Sequence, residues 1–147
     1  MKLAHINIVT RDADALARFY VTALGCAALR EPRVLSGEKV SRGNGLAGCD
    51  ICSVWLGFPG ADTPFLELHQ HKTSPERGPS GVNAPGIRHL AFRVKDIHAM
   101  LSAIIGAGGA ALGDITDFGT AQSPYYIVYA SDPEGNILEL EQSGENI

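Results

Sequence analysis

LAHINIVTRDADALARFYVTALG (Leu3–Gly25) can be laid on IRHLAFRVKDIHAMLSAIIGAGG (Ile87–Gly109), and that self-similarity decides the fold. At a constant offset of 84 residues, His5 falls on His89, Asp12 on Asp96, Ala15 on Ala99 and Leu16 on Met100. A second pair, FLELHQ (Phe65–Gln70) and ILELEQ (Ile137–Gln142), follows at an offset of 72 and shares Leu-Glu-Leu and the final Gln. The change from 84 to 72 gives the first half about twelve extra residues, which the Gly/Asn-rich stretch Ser36–Asp50 is expected to hold. The chain therefore reads as a first unit over 1–72, a Pro/Gly/Ser-rich linker over 73–86 and a second unit over 87–147.

Each copy opens with an alternating segment. In AHINIVT, Ala4, Ile6 and Ile8 point one way and His5, Asn7 and Val9 the other, because strand side chains alternate. Likewise Leu90, Phe92 and Val94 oppose His89, Ala91 and Arg93. Asp12 and Asp96 stand where helix N-caps belong, and ADALARFYVTAL and IHAMLSAII follow with helical spacing. Glycines 25, 106, 108 and 109 mark helix ends. Three further strands are expected in each unit, over 26–35, 50–58 and 64–70, then 110–117, 124–130 and 136–142. Ser131-Asp132-Pro133-Glu134-Gly135 is a turn between the last two. The fold class is α+β: two β-α-β-β-β modules.

The last strand of each module places the chemistry. Leu66 and Leu68 share a face, so Glu67 lies on the other; Leu138 and Leu140 oppose Glu139 in the same way. With the leucines packed under the helix, each Glu points to the sheet's second face, and the same rule sends His5 and His89 there. Two copies related by an approximate two-fold would bring His5, Glu67, His89 and Glu139 to a common centre. Two imidazoles and two carboxylates form a hard-to-borderline donor set whose charge roughly balances a divalent ion. Asn7 and His69 share the face, as substrate contact and as partner to Glu67 respectively, and Tyr129 is the aromatic candidate for substrate contact.

Composition narrows the partners. The 147 residues are 45% apolar and 19% charged, with a net charge of −4 and no Lys/Arg cluster, which argues against nucleic acid or an acidic membrane surface. No apolar run approaches the ~20 residues of a membrane span. MKLAHINIVTRDAD lacks a signal-peptide core, and three cysteines do not suggest a disulfide framework, so a reduced cytoplasmic setting is expected. Cys49-Asp50-Ile51-Cys52 has neither a helix N-terminus nor a second pair, and reads as buried structural thiols. His71 is expected to enter the linker, solvated, and His98 to lie on a helix surface.

LAHINIVTRD, FLELHQ, GIRHLAFRVKD and YASDPEGNILEL together resemble the vicinal-oxygen-chelate superfamily, which includes glyoxalase I, methylmalonyl-CoA epimerase, extradiol dioxygenases and antibiotic-resistance proteins. The resemblance spans roughly residues 2–142 and is nearest to glyoxalase I. It implies paired modules lining a U-shaped cup, one divalent ion (Ni, Zn, Co, Mn or Fe) on His5, Glu67, His89 and Glu139, and a small-molecule substrate with adjacent oxygens. It also implies lyase or isomerase chemistry through an enediolate-like intermediate, with Glu139, or else Glu67, as the base, and a homodimer. Val9 stands where glyoxalase I carries a glutathione-binding Arg, while Arg93 occupies the equivalent place after His89 and is a candidate for an anionic substrate group. Gln122 stands where extradiol dioxygenases carry a His, which argues against ring cleavage and leaves Gln122 as a substrate contact. The alternatives are a resistance-type binding protein without turnover and an Fe-dependent dioxygenase relative.

Overall fold

The computed structural model describes residues 1–78 and 81–144; residues 79–80 of the expected linker and 145–147 at the end of the second expected unit lie outside the described residues. The chain forms two compact units, Met1–Glu76 and Arg77–Ile147. The first runs β1 (His5–Val9), α1 (Ala13–Leu24), β2 (Ala27–Ala28), β3 (Arg33–Ser36), α2 (Glu38–Asn44), β4 (Asp50–Gly57) and β5 (Phe65–His71). The second runs β6 (His89–Arg93), α3 (Ile97–Gly106), β7 (Ala110–Ala111), β8 (Thr116–Asp117), β9 (Tyr125–Ser131) and β10 (Ile137–Ser143). The sheets share one topology: β1-β5-β4-β2 with β3 also on β4, and β6-β10-β9-β7 with β8 also on β9. In each, the first strand is parallel to the last and all other pairs are antiparallel. This is the α+β, two-module architecture that the repeat predicts.

Two details differ from the sequence expectation. The strand expected over 26–35 is broken into β2 and β3, and that over 110–117 into β7 and β8. Pro32, which has no N–H to donate to a ladder, falls in the first gap, and the turn formers Gly113 and Asp114 in the second. The twelve-residue excess is also not confined to one loop. The offset is still 83 between Ala27 and Ala110, falls to 74 between Trp55 and Tyr129, and reaches 72 at the two glutamates. Most of the insertion thus spans β3 and α2, with the remainder divided between the α1–β2 connection and the β4–β5 turn.

Both long helices start as their sequences dictate. Asp12 accepts from the Ala15 N–H at 2.8 Å and Asp96 from the Ala99 N–H at 2.9 Å, contacts worth about 1 kcal/mol each. The Gln that closes FLELHQ and ILELEQ has a role too: Gln70 Oε1 accepts from the Ala13 N–H at 3.0 Å, and Gln142 Oε1 from the Ile97 N–H at 2.7 Å. Each final strand therefore satisfies one orphan donor at the start of its own unit's helix, locking strand to helix. Gly25 ends α1 in the left-handed region, φ 69°, where a side chain would be strained.

The apolar faces meet under the helices. Leu16, Phe19, Tyr20 and Ala23 of α1 pack with Val54, Leu56, Leu66 and Leu68, all buried. In the second unit Ile97 and Ile104 of α3 meet Val128, Ala130, Leu138 and Leu140. Leu66, Leu68, Leu138 and Leu140 are 0% exposed, each stabilising its unit by roughly 1.5–3 kcal/mol. That burial fixes the pleat, and so sends the residues between the leucines to the opposite face.

Candidate functional site

The opposite face is organised in rows set by strand register. Asn7, Glu67 and Trp55 are aligned across β1, β5 and β4, and Ala91, Glu139 and Tyr129 are aligned across β6, β10 and β9. Both glutamates are nearly buried, at 7% and 8% exposure, while the histidines beside them stay open. His5 Nε2 lies 3.4 Å from Glu67 Oε2, and His89 Nε2 lies 2.8 Å from Glu139 Oε2. The same histidine–glutamate pair is thus built twice, once in each unit, from the first and last strands. In each, an aromatic from the neighbouring strand flanks the carboxylate: Trp55 Nε1 donates to Glu67 Oε1 at 2.8 Å, and Tyr129 hydrogen-bonds with Glu139.

The two pairs differ in their surroundings. Around Glu67, Ser53 Oγ donates to Oε1 at 3.2 Å and Asn7 Nδ2 donates to Oε2 at 3.3 Å. His69 Nε2 also approaches Oε1, at 2.9 Å, but off the direction of a good hydrogen bond, so that contact is electrostatic. Burial pushes the Glu67 carboxyl up, yet the Trp55 hydrogen bond and the His69 and His5 imidazoles together outweigh it and hold the group below the usual glutamate value. Around Glu139 the equivalents of Asn7 and Ser53 are Ala91 and Ile127, which offer no donor. Tyr129 responds to its acid neighbour: burial, the Glu139 charge and their hydrogen bond all raise its phenol.

The remaining sequence candidates fall as follows. Arg93 is exposed and aligned with Glu141, at the far end of β6 from His89. Gln122 lies in the turn before β9 and lines a cleft of about 510 Å³ with Ser123, Pro124, Tyr125, Ser143 and Gly144. His71, expected in the linker, is the last residue of β5, half-buried, with Nδ1 3.9 Å from Cys49 Sγ. His98 is exposed on α3. Sequence reasoning missed three residues of the first unit: Trp55, Ser53 and Arg30. Ser53 and Trp55 alternate with Val54 and Leu56 in ICSVWLGF, so the same period-2 rule contained them. Arg30, in the break between β2 and β3, carries no periodic signal.

The donor set suits a divalent ion in one respect. Two ligands at about 2.1 Å from an ion lie roughly 3.0–3.4 Å apart, close to the spacings within the two histidine–glutamate pairs. Among the described residues, however, no three His, Cys, Asp or Glu side chains are arranged as a ready metal site. Each pair therefore has the spacing of two ligands on one ion, taken unit by unit.

The thiols stand apart from this chemistry. Cys26 and Cys49 are buried, Cys52 is half-buried, and all three are free. Burial pushes the Cys26 thiol up to about 11, so it is protonated and unreactive at neutral pH. We expect a thiol reagent at pH 8 to modify Cys52 first, and Cys26 and Cys49 only after unfolding. Rapid loss of all three thiols in the native state would contradict the structural reading of this C-x-x-C.

The profile of the Glyoxalase/Bleomycin resistance protein/Dioxygenase superfamily matches residues 2–140. No curated protein matches the sequence. Among solved structures, a glyoxalase family protein from Bacillus cereus superposes with a TM-score of 0.85 at 22% identity, over 97% of this chain and 94% of that one. A glyoxylase/bleomycin resistance protein/dioxygenase domain from Frankia sp. EAN1pec gives 0.70 at 18%, over 100% and 95%. A family enzyme from Burkholderia phytofirmans gives 0.57 at 16%, over 97% and 98%. At these identities the structural likenesses speak to fold, and no helix of the described residues is long and apolar enough to cross a membrane. With the profile covering almost the whole sequence and the repeated fold beneath it, the chain belongs to the glyoxalase/bleomycin resistance protein/dioxygenase superfamily.

Proposed function

We propose that this protein is a divalent-metal-dependent enzyme of lyase or isomerase type, acting on a small substrate with two neighbouring oxygens. The observation that supports it is the duplicated pair: His5 with Glu67 and His89 with Glu139, each an open imidazole against a nearly buried carboxylate. Duplication of a fold alone preserves core positions; it has no packing reason to preserve a charged pair on the face away from the core. The four residues are the proposed ligands. A divalent ion held by them would supply Lewis-acid stabilisation for charge developing on substrate oxygens.

The chain's own residues divide the remaining work. Glu67, with its donors from Trp55, Ser53 and Asn7 and a depressed pKa, is a weak base and serves to hold. Glu139 has fewer donors on its face and is the better candidate to accept the proton. Tyr129, hydrogen-bonded with Glu139, orients that carboxylate.

A second reading, a small-molecule binding protein without turnover, is favoured by one observation: Glu67 is already satisfied by its own unit's donors, without an ion. Elemental analysis separates the two. About one divalent ion per chain in the wild type, lost in a His5→Ala/His89→Ala variant, is the expected result. No ion in either protein after incubation with Ni, Zn, Mn and Fe(II) would leave the binding reading standing and the enzyme reading without support.

A further inference from the structure

Arg30 is out of place for a structural residue. Its guanidinium stacks on the Trp55 ring, 3.9 Å above the centroid, and Nη2 donates to Ser53 Oγ at 3.2 Å. Nε and Nη1 are buried and meet no acceptor. Two of the three nitrogens of a permanent cation therefore lie away from water without a hydrogen bond, and no carboxylate of the described residues pairs with it. A buried cation in that condition is unfavourable unless something else supplies the acceptors. Both groups that hold Arg30 are also donors to Glu67 Oε1. Arg30 and Glu67 thus share two neighbours, Ser53 and Trp55, on the first unit's polar face.

We infer that Arg30, stacked on Trp55 and propped by Ser53, is a receptor for an oxyanion, the carboxylate or phosphate group of a small acidic ligand bound beside Glu67. Planar guanidinium donors suit such a group, and stacking fixes their plane while still allowing in-plane sliding toward an arriving anion. The second unit has no counterpart: Leu112 N–H bonds to Tyr129 O as Leu29 N–H bonds to Trp55 O, and the next residue there is Gly113. The receptor therefore belongs to the first unit alone. The inference deepens the proposed function, because it takes this face as the one that meets substrate, but it does not require the metal.

Trp55 is the only tryptophan of the chain, so its fluorescence reports on this spot directly. The test titrates oxalate and inorganic phosphate into protein stripped of metal on a chelating resin, with chloride at matched ionic strength as control. A saturable fluorescence change with either oxyanion is expected, weakened at least tenfold in Arg30→Gln and less in Arg30→Lys, which keeps the charge but loses the fork. Whichever anion binds more tightly names the group. The melting temperature should rise with the anion in the wild type and stay unchanged in Arg30→Gln. A wild type that gives no saturable response, or a response undiminished in Arg30→Gln, overturns the inference. Should Arg30→Gln fail to fold, the Arg30→Lys ratio decides: weakened binding supports the receptor and unaltered binding overturns it. Metal content of the variants, measured separately, is expected to equal that of the wild type, so failure of the metal reading and failure of the receptor are distinguishable.

Discussion

Glu139→Gln is expected to weaken binding of a divalent ion by about a hundredfold or more, and to lower kcat on any substrate turned over by roughly 10²–10⁴-fold, without unfolding the chain. The replacement is isosteric, so the packing beneath Leu138 and Leu140 is untouched, while the charge beside His89 at 2.8 Å is removed. Glu141 provides the control. It lies on the same strand and face two residues on, but hydrogen-bonds with Tyr125 rather than a histidine, so Glu141→Gln should leave metal affinity unchanged. Glu67→Gln should weaken metal affinity comparably and cost less in kcat, because the carboxylate that Trp55 and Ser53 hold is the poorer base. Calorimetric titration of metal-free protein with Zn or Ni measures the affinities. Equal affinities for wild type and Glu139→Gln would remove Glu139 from the ligand set and take the base assignment with it.

What made this much legible was the coincidence of two periods. Period-2 alternation in FLELHQ and ILELEQ assigns a face to each residue, and the 84-residue offset assigns each histidine an equivalent. Neither needs long-range information. The same logic located both helix starts, because an aspartate before an amphipathic run is a local signal. The failures came where a residue's meaning depends on its neighbour across the sheet. Trp55 matters because β4 pairs with β5 in the register that aligns it with Glu67. Alternation in ICSVWLGF puts Ser53 and Trp55 on one face, but which residue of β5 they meet there is set only by the pairing of the two strands. The shared Gln70 and Gln142 were visible as a match, but their acceptor role requires knowing that the end of β5 lies beside the start of α1. Arg30 depends on a strand break that its sequence does not announce.

Asp132→Ala should have the largest effect on stability, about 3 kcal/mol, and it should reach the candidate site through register. Asp132 is 2% exposed in the turn between β9 and β10. Its Oδ1 accepts from the Glu134 N–H at 3.0 Å and from the Asn136 N–H at 2.8 Å, and its Oδ2 accepts from Asn136 Nδ2 at 2.6 Å. Hydrogen bonds to a charged acceptor contribute roughly 1.5–3 kcal/mol each but are not additive, and alanine also strands buried donors. Arg77 closes the outside of the same turn by donating to the Glu134 and Gly135 carbonyls at 2.6 and 3.0 Å, yet it cannot replace an acceptor inside. Asn136 is the last residue before β10, so the turn sets the alignment of Glu139 with Tyr129 three pairs further on. Asp132→Asn keeps one acceptor oxygen for the Glu134 and Asn136 N–H groups but turns a donor amide toward Asn136 Nδ2, so it should recover only part of the loss. Urea titrations should show the midpoint falling for Asp132→Ala and lying between the two for Asp132→Asn. A midpoint for Asp132→Ala within error of the wild type would mean that the leucine face alone holds the register and that the turn merely follows it.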